Sequence, residues 1–283
     1  SQGNERQQKP SKRRNRVLYW HFHQDTTHFA KNLHRFTPET KVHISSKWHG
    51  SSFIVSNSLC VKPLRWYEKL LIKIGITIDT TYWDTIYSSR KVVKNQYDKE
   101  KNISGYYKHD VWKDVSDTLS PFLHKGLIIF GEVCGFTKSG ESIQKKYSYD
   151  CDPHQFRILI YRMAQTLPDG KLLELPVEYC QSWCKKNGFE FAHTYFHGQL
   201  SEFLPLTENQ DVDKWREELF AKLSISFNME KYCEFHTKSK VPAEGIVIRV
   251  LDNTDWESYK LKSFKFKLLE SKQIDTGEYT EDE

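Results

Sequence analysis

The sequence lacks long hydrophobic runs. No segment approaches the roughly 18 consecutive apolar residues that a membrane-spanning helix needs. The first residues are polar and basic, without the apolar stretch of a secretory signal. No motif recurs with the period of about 20–50 residues that marks solenoids and propellers. We therefore expect neither a membrane helix nor a repeat architecture, and the sequence predicts a protein that is not secreted.

The sequence also contains few cysteines. Six cysteines in 283 residues, without a secretory signal, favour free thiols in a reduced intracellular protein. Cys180 and Cys184 are followed by His193 and His197, and zinc can use such ligands. The spacer between the two pairs, eight residues, is shorter than the usual spacer of about 12. The pairs also fall on a predicted helix and a predicted strand, so buried cysteines and ordinary strand histidines are favoured over zinc.

Charge is unevenly distributed along a chain of globular composition, in which 38% of the residues are hydrophobic and 28% are charged. Residues 1–16 contain six basic residues and one acidic residue, and residues 270–283 contain one basic and six acidic residues. The intervening body has a net charge of +5. A basic body and a basic arm suggest a polyanionic partner. We expect one domain over residues 17–269, between a basic flexible tail at 1–16 and an acidic tail at 270–283.

Short β-like runs dominate from Lys41 onward, and helical patterns lie between them. Because the connections vary in length and do not alternate regularly with the strands, the pattern predicts an α+β fold. Its sheets should be largely antiparallel and flanked by helices, rather than doubly wound. The predicted strands are Lys41–Ser46, Phe53–Ser56, Leu127–Cys134, Phe156–Met163, Phe189–Tyr195, Gly245–Leu251 and Tyr259–Phe266. The predicted helices are Val111–Leu123, Glu174–Lys186 and Asp211–Phe227, and the apolar segment Leu64–Ile78 is predicted to be a helix that covers one end of a sheet.

Five segments place charged residues beside or inside apolar β-like runs. An isolated charge is costly to bury, so such placements indicate a pocket where charges meet each other or a ligand. Three lysines, an arginine and two carboxylates would suit a nucleoside triphosphate with metal ions. The segments are Ser45-Ser46-Lys47-Trp48-His49-Gly50, Ser88-Ser89-Arg90-Lys91, Ile129-Phe130-Gly131-Glu132-Val133-Cys134-Gly135, Ala243-Glu244-Gly245-Ile246-Val247-Ile248-Arg249 and Tyr259-Lys260-Leu261-Lys262-Ser263.

The order Lys-x-His-Gly, Ser-Arg, Gly-Glu-x-x-Gly, Glu-Gly-Ile-Val-Ile-Arg and Lys-x-Lys resembles the covalent nucleotidyltransferases, which comprise the polynucleotide ligases and the mRNA capping enzymes. Histidine at the third position of the first motif is similar to the phage RNA ligase 2 and kinetoplastid editing-ligase class. The stretches 131–145 and 156–162 also resemble phage-type ATP-dependent RNA ligases. The motifs span residues 47–262, which is most of the chain. The resemblance implies a nucleotidyltransferase (ATP-grasp-like) domain, and we expect no C-terminal oligonucleotide-binding barrel, because only 21 residues follow Lys262.

The resemblance also implies roles for the residues of the first and last motifs. Lys47 would attack the α-phosphate of ATP to form lysyl-AMP, which requires a neutral amine. We expect neighbouring cations and burial to lower the pKa of Lys47. Gly50 permits a turn close to the nucleotide, and His49 would orient the lysine or contact the nucleotide. Lys260 and Lys262 would share one face of a strand and neutralise the α-phosphate.

The middle motifs carry the other implied roles. Arg90 would bind the 5′-phosphate of the AMP-activated strand or the ribose edge. Glu132 would contact the ribose, and Glu244 would hold a divalent cation, Mg²⁺ or Mn²⁺. The adenine would stack on Phe156 or Ile160, which share a strand face. The chain departs from the family there, with Ile160-Tyr161-Arg162 in place of Phe-Asp-Ile, and Ser46 replaces the Glu that often precedes the lysine, which leaves base specificity less secure.

The resemblance as a whole implies an ATP-dependent RNA ligase with three steps: enzyme adenylylation, AMP transfer to an RNA 5′-phosphate, and attack by an RNA 3′-hydroxyl. A GTP-dependent capping-type guanylyltransferase is an alternative, as is an inactive RNA- or nucleotide-binding module of the same fold. The expected partner is RNA with those two ends, with no membrane involved. The expected location is intracellular and cytoplasmic, which includes a virus-infected host cell. We expect the basic arm 1–16 to be an RNA-backbone tether.

Overall fold

Two β-sheets form the frame of the part of the chain that the structure describes, residues 17–95, 107–227 and 232–275 of a computed structural model. The strands of sheet A are β3 (Ser51–Val61), β4 (Thr81–Ser88), β5 (Leu127–Gly135), β6 (Phe156–Thr166), β7 (Leu172–Glu174) and β8 (Glu190–Phe191). The strands of sheet B are β1 (Thr27–His28), β2 (Lys41–Lys47), β9 (Thr194–Gln199), β10 (Gly245–Val250) and β11 (Glu257–Lys262).

The strand order is β4-β3-β5-β6-β7 in sheet A, where β8 also pairs with β6, and β1-β11-β10-β2-β9 in sheet B. All pairings between these described strands are antiparallel except β1 with β11 and β6 with β8. Neither sheet closes into a barrel within the described ranges. The predicted α+β fold with largely antiparallel sheets is confirmed.

The α-helices of the described residues are α1 (Trp66–Lys73), α2 (Val111–Leu119), α3 (Val177–Asn187), α4 (Leu200–Phe203), α5 (Val212–Ile225) and α6 (Phe264–Asp275). Three of them, α2, α3 and α5, correspond to the three predicted helices. Asp110 caps α2 by accepting a hydrogen bond from the backbone N–H of Lys113. Gly188 ends α3 in the left-handed conformation, at φ 74°.

Each sheet buries one face against helices. Val115, Leu119, Ile129 and Cys180 belong to the core that joins sheet A to α2 and α3. On sheet B, a second core contains side chains of β2, β10 and α5: Ile44, Ile246, Ile248, Trp215 and Leu219. Because these faces are occupied by helices, the remaining faces of the two sheets are available to line a common cleft.

The last predicted strand is partly wrong. Strand β11 ends at Lys262 and α6 begins at Phe264, because the Ser263 hydroxyl accepts a hydrogen bond from the backbone N–H of Phe266 and caps the helix. Helix α6 runs through the boundary predicted between residues 269 and 270, so Glu270 is part of a helix. The basic tail predicted at 1–16 and the last part of the acidic tail, 276–283, lie outside the described residues.

Helix α1 lies within the predicted segment Leu64–Ile78, and this segment leaves apolar side chains in water. Trp66 is 78% exposed, Leu70 53% and Ile74 68%. The helix is anchored through Glu68, which accepts hydrogen bonds from Lys62 Nζ and from the backbone N–H of Arg65. No helix in the described ranges has the length and hydrophobicity to cross a bilayer.

Candidate active site

A cleft of about 1230 Å³ opens between the two sheets. The six residues predicted for catalysis all line it: Lys47, Arg90, Glu132, Glu244, Lys260 and Lys262. Three further predicted nucleotide-binding residues, Ser46, His49 and Gly50, line it as well. The register of sheet B explains part of this convergence, because Gly245 lies opposite Lys47 on one side and opposite Lys262 on the other.

Lys47 ends β2 and forms an ion pair with Glu244. Its Nζ lies 2.7 Å from Glu244 Oε1, with 21% of the lysine side chain exposed and 4% of the glutamate side chain. Burial by itself lowers the pKa of Lys47, but the charges of Glu244 and Glu132 outweigh it, and the pKa is raised. The predicted lowering is therefore wrong for the free protein, because carboxylates from β5 and from the residue before β10 dominate the surroundings of the amine.

The neighbouring cations affect the pKa of Lys260 rather than that of Lys47. Burial, followed by the charges of Lys262 and Lys47, lowers the pKa of Lys260. Lys262 is compensated locally, since its Nζ lies 2.6 Å from Glu270 Oε1 on α6. The two lysines of β11 both line the cleft, as their alternation along one strand face predicts.

Glu132 lies on β5, opposite Ser52 of β3. The Ser52 hydroxyl donates a hydrogen bond of 2.8 Å to Glu132 Oε1. This contact orients within the cleft the carboxylate to which the resemblance assigns the ribose.

The turn between Lys47 and β3 is pressed against β5. A Cβ at Gly50 would lie 2.6 Å from Cys134 Sγ and 2.6 Å from the carbonyl oxygen of Val133. Glycine is required here by this close approach of the chain rather than by a positive φ. The ring of His49 contacts Tyr147 and Phe266, with ring centroids 5.0 Å and 5.1 Å away.

Arg90 forms an ion pair with a residue outside the motifs. Its Nη2 donates a hydrogen bond of 2.5 Å to Asp25 Oδ1, and both side chains are partly exposed. Asp25 belongs to a strap, residues 17–28, which pairs with β3 through the Leu18 N–H and with β11 through Thr27 and His28. The strap thus connects sheet A to sheet B beside the cleft, and sequence patterns gave no signal for it.

The strap also places His23 against Tyr161, with 2.9 Å between His23 Nδ1 and Tyr161 Oη. Burial, followed by the charge of Arg162, lowers the pKa of His23 to about 4. A neutral imidazole therefore lines the cleft at physiological pH.

The two residues predicted to stack on adenine do not line the cleft. Ile160 is completely buried in the core with α2 and α3, and Phe156 packs against that core. The apolar lining comes instead from Leu159 and Tyr161 on β6 and from Val247 on β10. The prediction that Phe156 and Ile160 face the nucleotide is therefore wrong. Both faces of β6 are apolar, so alternation alone does not show which face borders the cleft.

Arg162 stands at the position where the motif departs from the family pattern. It is buried and forms an ion pair with Glu174 of β7. Its guanidinium carbon lies 4.7 Å from the ring centroid of Trp256, and the guanidinium carbon of Arg249 lies at the same distance from that ring. Arg162, Arg249 and Trp256 all line the cleft, so two buried cations contact the same aromatic ring there.

The surroundings of Glu244 show whether the site suits a divalent cation. Its Oε2 is buried and has no hydrogen-bond partner among the described residues. A carboxylate oxygen is a hard ligand of the kind that Mg²⁺ and Mn²⁺ prefer. The described ranges contain no group of three or more His, Cys, Asp or Glu side chains placed to hold a metal. The buried Oε2 of Glu244, which no described residue satisfies, therefore fits a divalent cation.

The alternative zinc ligands do not converge in the described residues. Cys180 and Cys184 are buried on α3, and burial raises the pKa of these thiols to about 11 and about 12. His197 Nε2 lies 3.5 Å from a carboxylate oxygen of Glu178. The cysteines are core residues, as the sequence favours.

The RNA ligase family model matches residues 40–267 of the chain. No match was found among curated proteins. Among solved structures, a mutant of the Naegleria gruberi RNA ligase with AMP and Mn has a TM-score of 0.50 at 14% identity, over 88% of this chain and 59% of that chain. The N. gruberi ligase with PPi has a TM-score of 0.49 at 15% identity, over 95% and 64%. An archaeal ATP-dependent RNA ligase has a TM-score of 0.46 at 11% identity, over 88% and 50%.

The chain spans about three fifths of the length of the N. gruberi chains it matches. At 14% identity, the likeness to the AMP-bound structure concerns the fold alone. The family model covers more than half of the chain and includes all five motifs. The protein belongs to the RNA ligase family.

Proposed function

We propose that this protein is an ATP-dependent RNA ligase, which joins an RNA 3′-hydroxyl to an RNA 5′-phosphate through a lysyl-AMP and an RNA-adenylate. The observation that carries the proposal is the position of Lys47, whose Nζ lies 2.7 Å from Glu244 Oε1 in a cleft shared with Lys260 and Lys262. Membership of the RNA ligase family supports the reaction class. Structures of the N. gruberi RNA ligase with ATP and Mn, and with AMP and Mn, support the choice of ligands.

In the first step the amine of Lys47 attacks the α-phosphorus of ATP. A nitrogen–phosphorus bond forms, the bond to the oxygen that bridges the α- and β-phosphates breaks, and pyrophosphate leaves. Lys47 is an ammonium at neutral pH, and its raised pKa favours that form further, so it must release a proton to water before it attacks. Lys260 and Lys262 would stabilise the negative charge of the phosphate in the transition state.

Glu244 is the residue that would hold the divalent cation, through the oxygen that lacks a protein partner. A Mg²⁺ or Mn²⁺ ion there would withdraw charge from the α-phosphate and weaken the hold of this carboxylate on the proton of Lys47. Glu244 would thus pair with the ammonium group of Lys47 in the free protein and, through the cation, contribute to binding the nucleotide.

The nucleoside would lie between the sheets. Leu159, Tyr161 and Val247 provide apolar walls for a purine ring, and Glu132, oriented by Ser52, would accept hydrogen bonds from the ribose hydroxyls. The base would thus contact the face of β6 opposite to Phe156 and Ile160.

Arg90 would act on the RNA in the second step. Its guanidinium fork suits a 5′-phosphate, and in the free protein it is paired with Asp25. The phosphate oxygen of the RNA would attack the phosphorus of lysyl-AMP and release Lys47, and the RNA 3′-hydroxyl would then displace AMP. Each step is an in-line displacement that depends on alignment and on charge stabilisation.

The first test is covalent labelling with α-labelled ATP and Mg²⁺. We expect label on the wild-type protein and none on Lys47→Ala, while Lys267→Ala, a change on an exposed lysine of α6, leaves labelling unchanged. Labelling with GTP in place of ATP would indicate the guanylyltransferase alternative. A wild-type protein that binds nucleotide without label would indicate the inactive-module alternative and refute the ligase proposal.

We also propose an intracellular setting for the enzyme. The six cysteines, all of which are described, form no disulfide, which is typical of a reducing compartment. A domain that begins near residue 17 and includes α6, and the role of residues 1–16 as an RNA tether, are proposals too. Removal of residues 1–16 should weaken RNA binding and its salt dependence while leaving adenylylation intact.

A further inference from the structure

Trp48, the residue after Lys47, lies in a stack with Tyr149 and Arg157, two residues outside the five motif segments. Its ring is 2% exposed and lies against the ring of Tyr149, with 4.3 Å between the centroids and 7° between the planes. The guanidinium carbon of Arg157 lies 4.8 Å from the Trp48 ring centroid. Arg157 is itself held by the carboxylate of Glu190 and by the carbonyl oxygen of Tyr149. The stack therefore joins the turn after Lys47 to β6 and to the loop before it.

Tyr149 also binds the backbone of that turn. The N–H of His49 donates a hydrogen bond of 2.6 Å to Tyr149 Oη. On its other side, the turn is packed against β5 at Gly50, where no side chain fits. The three residues that connect Lys47 to β3 are thus held by β5 and by one tyrosine.

The loop that carries Tyr149 has an unusual backbone. Tyr149 has φ 47° and Asp150 has φ 60°, in the left-handed region that non-glycine residues seldom adopt. The Tyr149 N–H donates to His236 Nε2, and the Asp150 carboxylate accepts hydrogen bonds from the N–H groups of Thr237 and Lys238. Such conformations persist only where surrounding contacts impose them, and they concentrate at functional sites. Here the imposed conformation places the Tyr149 ring and hydroxyl against the turn.

We propose that Tyr149 is a positioning residue for the adenylylation of Lys47, an inference that rests on the proposed function. Its ring and hydroxyl fix residues 48–50, and with them the backbone from which Lys47 reaches the α-phosphate. Tyr149 does not line the cleft, so it acts through the turn and not on the nucleotide. In-line attack requires aligned atoms, and a displacement of about 1 Å costs on the order of a hundredfold in rate.

The experiment is single-turnover adenylylation with α-labelled ATP, measured over a range of ATP concentrations. Tyr149→Phe removes the hydrogen bond to His49 and keeps the ring, whereas Tyr149→Leu also removes the stack on Trp48. We expect the maximal rate to fall about tenfold for Tyr149→Phe and about a hundredfold for Tyr149→Leu. The ATP concentration that gives half the maximal rate should be unchanged in both variants.

Tyr147→Phe is the matched control. Tyr147 and Tyr149 lie in the same loop and are both 1% exposed, but the Tyr147 hydroxyl donates to the carbonyl oxygen of Pro242 rather than to the turn. We expect this variant to keep the wild-type rate within about twofold, since it leaves the backbone of the turn bound. Thermal unfolding of all three variants checks that the rates come from folded protein.

Three outcomes would overturn the inference: a wild-type rate in Tyr149→Phe, an equal loss in Tyr147→Phe, or a loss of ATP binding with the maximal rate retained. If Tyr149→Leu does not fold, Tyr149→Phe alone carries the comparison. A wild-type protein that takes no label from any nucleotide would refute the proposed function, and with it this role. That result is distinct from a labelled wild type whose tyrosine variants react equally fast.

Discussion

Arg162 and Glu174 form an ion pair that is almost fully buried, with 1% and 6% of their side chains exposed. The pair joins β6 to β7. Arg162 also faces the ring of Trp256 together with a second buried cation, Arg249. Burial lowers the pKa of Arg249, and the charge of Glu174 opposes this effect, so Glu174 acts on the second cation too.

Replacement of Glu174 by Gln should therefore leave two buried guanidinium groups poorly compensated. We expect a loss of about 3–5 kcal/mol in the free energy of unfolding, which is typical when one partner of a buried pair is removed. Urea unfolding measures it. The control Asp169→Asn affects an exposed pair with Lys171 and should change stability by less than about 1 kcal/mol. Equal effects of the two variants would contradict this interpretation of Glu174.

Lys260 should matter for the chemical step because it is a cleft lysine near two other cations. Lys260→Ala should lower the adenylylation rate by on the order of a hundredfold to a thousandfold, as expected when a charge that stabilises a transition state is lost. Single-turnover labelling at saturating ATP measures this effect. Lys267→Ala on the exposed side of α6 serves as the control, and a rate in Lys260→Ala equal to that of the control would count against the assignment.

Replacement of Arg90 should impair AMP transfer to RNA, the second step, but not adenylylation of Lys47, the first. In Arg90→Ala we expect labelling of Lys47 within a few-fold of wild type and a loss of AMP transfer from labelled enzyme to 5′-phosphorylated RNA, because the phosphate loses its guanidinium partner. Transfer is followed as label moving from protein to RNA. Asp25→Asn frees Arg90 from an exposed pair and should tighten RNA binding only a few-fold, since such pairs contribute little. A loss of labelling equal to the loss of transfer in Arg90→Ala would place Arg90 at the ATP instead.

Asp150 should make stability depend on pH in the acid range. Hydrogen bonds from Thr237 and Lys238 hold the pKa of Asp150 at about 2, below the value of about 3.9 in an unfolded chain. The carboxylate therefore stabilises the fold above about pH 4, and this contribution is lost as the pH falls towards 2. Asp150→Asn should have a lower Tm than wild type at pH 7, and the difference should narrow below about pH 4. Circular dichroism measures the two Tm values. A Tm difference that does not change with pH would contradict the role of the carboxylate.

The six residues proposed for catalysis could be picked out from the sequence because each belongs to a short motif, and the structure brings them to one cleft. Lys47, Glu244 and Lys262 are distant in sequence, yet the predicted strands bring them together at the register around Gly245. The α+β class followed from irregular connections between strands. For these features local sequence and tertiary structure agree.

Other features depend on contacts that no local pattern contains. Both faces of β6 are apolar, so packing against α2 and α3 decides which face borders the cleft. Phe156 and Ile160 lie on the face that packs against these helices, which alternation alone does not predict. The raised pKa of Lys47 depends on carboxylates from outside its own strand. The partner of Arg90, Asp25, lies 65 residues away in a segment without a motif. Only the end of β11 had a readable signal, the helix-capping Ser263.

The strand order has a consequence for synthesis of the protein on the ribosome. The strands of sheet A, residues 51–191, lie in sequence between β2 and the other neighbours of β2 in sheet B, β9 and β10. The strand that carries Lys47 is therefore translated early, but its partner strands and Glu244 emerge only after the whole of sheet A. A nascent chain that ends before Glu244 contains Lys47 without the carboxylate that pairs with it. The order of translation thus delays assembly of the candidate site until Glu244 has left the ribosome.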